Sequence, residues 1–296
     1  MGGGVGASVA PVQTALLAEK TNDLNRTKVF TLFQMLSTLS GSAGALLSYV
    51  HNYTELFYIA LAVTVASLLV IIPVRENYHP HQTREPVNPV QKERDKSTIR
   101  KFTTTGALTG TAQGFYIPFL AIVFSTYFHA SNGEIGAIFA LGGLISAASM
   151  SFTPYLTRKL GFVRFIILSR AVSAVTVLIL PFSVNLLTAS IFYLITTPTR
   201  AISVPTQSSL MMSLVSEGDR ATATGTNQTA RLAPSALATT LSGYMLDVLP
   251  IYAPFAASFL FSVTNLFLYH RFFGKVTLGD MPSSAVPKAT NHLDGL

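Results

Sequence analysis

Apolar runs, each about as long as a membrane-crossing helix, follow one another along most of this chain and are parted by short polar breaks. They lie near residues 2–18, 28–49, 55–74, 103–128, 134–152, 163–183, 187–212, 222–246 and 252–271. A helix rises about 1.5 Å per residue, so roughly 20 apolar residues cross the roughly 30 Å of hydrocarbon in a bilayer. Nine such runs predict an all-α membrane protein that crosses the bilayer repeatedly. The break at residues 75–101, RENYHPHQTREPVNPVQKERDKSTIRK, is longer than the rest and rich in proline and charge. It predicts a polar linker between two bundles.

Composition sharpens this picture. The chain is 49% hydrophobic and only 11% charged, whereas a soluble domain carries about 25% charged residues. With no cysteine in 296 residues, disulfides and thiolate metal sites are excluded, and no metal or cofactor is expected. The net charge of +7 would suit a nucleic-acid partner, but the placement of the basic residues argues against one. Seventeen of the 20 Lys and Arg fall in alternate breaks: Lys20, Arg26 and Lys28, seven in the linker, Arg158, Lys159 and Arg164, Arg220, and three in the C-terminal tail. The opposite breaks, HNYTE (51–55), HASNGE (129–134), SVN (183–185) and DVLP (247–250), hold none. By the positive-inside rule the linker and the C-terminal tail are cytoplasmic, so the +7 is a topology signal.

The chain opens MGGGVGASVAPVQTALLAEK, uncharged until Glu19. Gly2, Gly4 and Ala7 fit the spacing of a dinucleotide-binding loop, but that fingerprint has meaning only after a strand. A myristoylation signal would need Ser or Thr where Gly6 stands. The stretch reads best as a membrane helix entered partway. An internal repeat supports this. With a shift of 194 residues, Ala7, Pro11, Gln13, Leu16, Arg26, Gln34, Leu47 and Ser48 meet identical residues at 201, 205, 207, 210, 220, 228, 241 and 242 without a gap. Asp23 meets Glu217, so each copy places an acid three residues before an Arg. Transporters are commonly built from such repeats, with the substrate site at their interface. The second copy follows three spans, at 103–183; their counterparts for the first copy would lie upstream of Met1.

On topology and repeat, the chain resembles the major facilitator superfamily from its fourth helix to its twelfth, end to end. GGGVGASVAPVQTALLAE is similar to the family's glycine-rich fourth helix, where small residues let helices approach closely. TPYLTRKLGFVR (153–164) resembles the signature between the eighth and ninth helices: Arg158 and Gly161 match, while Thr157 stands where the family has Asp. The resemblance implies a helical bundle with about nine transmembrane helices of an expected twelve. It implies three helices of an N-terminal half-bundle at 1–74, a cytoplasmic linker at 75–101, a six-helix half-bundle at 102–272 and a cytoplasmic tail at 273–296. It further implies secondary active transport of small molecules across the cell membrane by alternating access, with drug or metabolite efflux among the options and a proton or counter-ion as the coupled partner. The alternative is a truncated, non-transporting membrane subunit or remnant. No His, Asp or Ser cluster of the kind an intramembrane enzyme needs falls inside a span, so no enzymatic activity is expected.

The candidate site is drawn from polar residues at buried depth. Arg170, Arg200 and Arg231 are the three basic residues inside spans. Intramembrane charge is costly and marks function by default. Arg200 and Arg231 are expected to face a central cavity and attract an anion, or else to bond carbonyls freed by Pro198, Pro205 or Pro234. Arg170, nearer the cytoplasmic end, is expected to snorkel outward. Gln113, Tyr116, Gln207, Asn227 and Gln228 complete the expected substrate site. Asp23, Arg26, Arg158, Gly161, Glu217 and Arg220 are the expected cytoplasmic gate. No histidine lies mid-span, so coupling acids, if the carrier uses them, would lie in upstream helices. The topology predicts that protease added outside sealed cells leaves residues 75–101 uncut, whereas inverted vesicles expose them to cleavage; cutting in intact cells would reverse the orientation.

Overall fold

A computed structural model describes residues 23–50, 52–72 and 89–275, and the described residues are helical throughout, with no strand. The opening stretch, most of the linker and the tail beyond residue 275 lie outside them. The helices are α1 (Asp23–Leu46), α2 (Tyr53–Ile71), α3 (Pro89–Tyr116), α4 (Leu120–Tyr127), α5 (Asn132–Ser151), α6 (Thr153–Leu160), α7 (Phe162–Ile179), α8 (Leu186–Leu214), α9 (Arg220–Val248) and α10 (Tyr252–Phe273). Among the described residues, five stretches are long and apolar enough to cross a membrane: Tyr53–Val70, Pro89–Tyr127, Asn132–Ser151, Phe162–Phe182 and Tyr252–Phe273. The expected spans 187–212 and 222–246 do form helices of 29 residues each. They are more polar because they carry Arg, Thr and Ser into the bundle interior.

Two expectations are corrected. The stretch read as linker is helical from Pro89 onward, so its last turns extend α3 as one rod. The expected single span 103–128 breaks at Ile117–Phe119, a 3₁₀ turn. The cause is Pro118, which has no N–H to give the carbonyl four residues back and pushes that turn out of α geometry. That carbonyl belongs to Gly114, and the Thr239 hydroxyl of α9 donates to it at 3.2 Å. Ser242 of α9 donates to the next one, Phe115 O, at 2.6 Å.

Three helix starts at the basic-poor breaks are closed by their own polar residues. Ser131 and Glu134 form a reciprocal capping box on α5. Asn185 accepts from Thr188 N on α8 at 2.9 Å, and Asn52 accepts from Thr54 N on α2 at 3.0 Å. These bonds satisfy N–H groups that a helix start leaves open. At the opposite, basic end, α6 passes into α7 through Gly161 alone, at φ 79° and ψ 154°. Only glycine adopts this conformation at low cost, which is why the signature-like loop needs it there.

α3 is the hub. Its most extensive contacts are with α9, and it also packs on α10. Gly106, Gly110 and Gly114 recur every four residues, forming a single stripe. A Cβ on Gly110 would run into the backbone carbonyl of Arg231, and one on Gly114 into that of Ser235. From there α10 contacts α7, α7 contacts α8, α8 contacts α5, and α5 contacts α1. The α5–α1 seam again uses small residues: a Cβ on Gly136 or Gly143 would strike the Ser48 or Ser42 hydroxyl. α2 makes no extensive contact with any other described helix. Apolar packing collects in two clusters. Phe102, Ile166, Leu210, Met212 and Phe273 anchor one near the basic end, and Phe124, Leu180, Ala189 and Phe255 the other.

The glycine stripe makes a sharp prediction. Overpacking costs about 1–3 kcal/mol, so Gly110→Ala is expected to lower the melting temperature of the purified protein in detergent. Gly225→Ala on α9, where an added Cβ meets nothing within 4 Å, is expected to leave it unchanged.

Candidate functional site

Between the two apolar clusters lies a polar cavity of about 60 Å³, walled by α3, α7, α8, α9 and α10. Each helix contributes because a polar residue sits on its inner face. α3 brings Thr109, Gln113 and Tyr116; α7 brings Arg170; α8 brings Arg200 and Gln207; α9 brings Arg231; α10 brings Asn265. The α3–α9 seam sets one side of it. With the backbones pressed together at Gly110, Arg231 Nη2 reaches Gln113 Oε1 at 3.2 Å.

Arg170 is the best-held guanidinium. It donates to Asn265 Oδ1 at 3.1 Å and to Gln207 Oε1, and its Cζ stands 5.1 Å from the centre of the Tyr269 ring, a cation–π distance. Asn265 is fixed in turn through its amide N–H₂, which donates to Thr105 O at 2.6 Å and Thr109 Oγ1 at 3.2 Å. One network therefore ties α7, α8, α10 and α3 together. Arg200 differs from the other two: its carbonyl accepts from Ser203 Oγ at 2.8 Å, but its guanidinium makes no hydrogen bond to any described residue. Among the described residues, three cationic side chains line this cavity and no carboxylate does.

The expected site residues divide accordingly. Gln113, Tyr116, Arg200, Gln207 and Arg231 converge on the cavity. Asn227 and Gln228 do not line it. Asn227 is buried in the α3–α9 seam, where a Cβ on Gly106 would meet its Oδ1. It lies one turn toward the basic end from Arg231, too far along the helix to reach the cavity. Arg170 overturns the expectation of snorkelling: it turns inward because two amide carbonyls and a ring face satisfy it there. Nor does a described bond join Arg200 or Arg231 to a proline-freed carbonyl; the described partner of Arg231 is the Gln113 side-chain amide. Asn265 went unrecognised in the sequence, as did the inner hydroxyls Ser173, Ser203 and Ser258. Asn265 sits in an otherwise apolar stretch, SVTNLFLY, and that isolation was its one signal.

The residues expected to form the gate are described only in part. Arg158 is exposed at the basic end of α6. Thr157, in the place of the family's Asp, is buried and donates to Thr153 O at 2.7 Å. Arg220 Nε donates to Met212 O at 3.2 Å. The side chains of Asp23, Arg26 and Glu217 lie outside the described residues. A buried acid does stand at this end, in the stretch read as linker. Asp95 accepts from Gln91 Nε2 at 3.1 Å and from the backbone N–H of Ser216 at 3.3 Å, pinning the start of α3 to the α8–α9 turn.

No curated protein matches the chain. A family profile described as Major Facilitator Superfamily matches it twice, over residues 1–239 and 102–290. The two overlapping registers accord with a chain whose halves are related. Long apolar helices, small-residue seams and a polar cavity inside a helical bundle agree with this match, and the chain belongs to the Major Facilitator Superfamily of membrane transporters.

Proposed function

We propose that this protein carries small organic anions by secondary active transport, with the substrate bound at Arg200 and Arg231 between Gln113, Tyr116 and Gln207. One observation supports the reading: among the described residues, Arg170, Arg200 and Arg231 line a single cavity and no Asp or Glu does. Like charges repel, and repulsion grows where water is scarce. Holding a cation inside a membrane is costly unless it is paired. A bound oxyanion relieves both costs, and guanidinium groups suit carboxylate and phosphate oxygens with paired donors. Alternating access follows from the family's architecture, in which two half-bundles rock about a central site. In this reading the protein sits in the cell membrane, and the basic breaks support a cytoplasmic 75–101 linker and tail. In this reading the Asp23/Arg26 and Glu217/Arg220 pairs, with Arg158 and Gly161, belong to the cytoplasmic gate. Drug or metabolite efflux is one use such a carrier would serve.

The experiment is uptake of labelled acetate, benzoate, succinate and glycerol phosphate into liposomes carrying the purified protein. Uptake of at least one anion is expected, with Arg200→Gln and Arg231→Gln each lowering the rate at least tenfold at unchanged protein content. Full activity in both variants would return the two arginines to a structural role. Absence of uptake for every anion would favour the non-transporting subunit.

A further inference from the structure

A second chamber adjoins the arginine cavity on the side away from the basic end. It lies between the broken end of α3, α4, α5, α7 and α8 and has a volume of about 490 Å³. Its walls are mainly apolar and aromatic, with Ile117, Phe139, Leu180 and Tyr193 prominent. The Phe139 and Tyr193 rings stack with centroids 5.0 Å apart and planes inclined by 23°. Phe124 meets Tyr193 edge-on at 6.0 Å, which holds that ring from behind. Two residues line both chambers, Tyr116 and Arg200.

The two volumes divide the labour. A single water needs about 10–15 Å³ of such space, so the arginine cavity of about 60 Å³ holds one oxyanion group and little more. It has no room for an organic body. The adjoining chamber falls within the roughly 300–1,000 Å³ of ordinary small-molecule sites, which are mostly apolar with a few polar groups that fix orientation. The arginines divide in the same way. Arg170 is bonded to Asn265 and Gln207, and Arg231 to Gln113. The Arg200 guanidinium makes no hydrogen bond to a described residue, and Arg200 lines both chambers. Its five N–H donors are the set available to a head group whose body extends toward Phe139 and Tyr193.

We infer that the substrate is an amphiphilic organic anion, with one oxyanion head held at Arg200 and an apolar body in the aromatic chamber. This rests on the arginine cavity being an anion site. The body supplies affinity through burial of apolar surface, which grows with each methylene, while the head sets the register. Fully polar anions and uncharged apolar molecules would each fill half of the site.

The test is calorimetric titration of the whole chain in lipid nanodiscs with acetate, butyrate, 4-phenylbutyrate and the uncharged 4-phenylbutyramide. The expected result is a Kd at least tenfold lower for 4-phenylbutyrate than for acetate, and at least tenfold lower than for the amide. Arg200→Gln is expected to abolish the preference for acid over amide. Ala121→Phe, which places a ring in the aromatic chamber, is expected to cut the gain with chain length below threefold. Acetate and 4-phenylbutyrate binding equally, both through Arg200, would overturn the amphiphile and leave the anion site standing. A gain with length that persists in Arg200→Gln protein or in empty nanodiscs is partition into lipid, and overturns it too. Failure of every anion to bind would sink both readings.

Discussion

The close approach of α3 and α9 is the contact on which the rest of the structure depends. Lipid supplies no hydrophobic force between two apolar helices, so association relies on backbone proximity, packing and hydrogen bonds. Gly106, Gly110 and Gly114 remove the side chains that would hold the two rods apart. The proximity puts Thr239 and Ser242 within reach of carbonyls at the Pro118 break, and Arg231 within reach of Gln113. A break that would leave open carbonyls in the bundle is thereby closed by the neighbouring helix. The same break frees Ile117 and Pro118 to line the aromatic chamber.

The second constraint is charge without counter-charge. Three guanidinium groups enter the bundle, and among the described residues no carboxylate joins them at the cavity. Neutral groups settle two of them. Amide carbonyls of Asn265, Gln207 and Gln113 accept from Arg170 and Arg231, and the Tyr269 face completes the shell of Arg170. Neutral acceptors stabilise a cation without cancelling its field. The cavity therefore stays electropositive, which a salt-bridged arrangement would not achieve. Apolar clusters above and below keep that field in a low-dielectric setting, where it acts most strongly on an anion.

Much of the fold could be read directly from residues. The apolar runs foretold the helices α5, α7 and α10 nearly to their ends, and Pro118, visible in GFYIPF, marks the one interruption in 103–128. Arg200, Arg231, Gln113, Tyr116 and Gln207 stood out because polar groups at membrane depth are rare, and all five line the arginine cavity. Asn227 and Gln228 were chosen by the same rule and do not line it; Asn227 sits one turn away from Arg231, in the α3–α9 seam. The α3 extension was missed for a related reason: residues 89–101 are polar and follow a proline-rich stretch, yet Pro89 at a helix start costs nothing.

What the sequence by itself determined is the class of structure: helices that cross a membrane, the breaks at which basic residues gather, and the family. Those follow from local quantities, namely hydropathy over about 20 residues and charge at the breaks between spans. Tertiary structure alone decided that Arg170 turns inward, that Asn265 links it to α3, and that the arginine cavity opens beside an aromatic chamber through Arg200. Each of these depends on residues 37 to 160 positions apart in the chain meeting in space. Such meetings are set by helix rotation and by the few glycines that let backbones touch, and no local pattern encodes them.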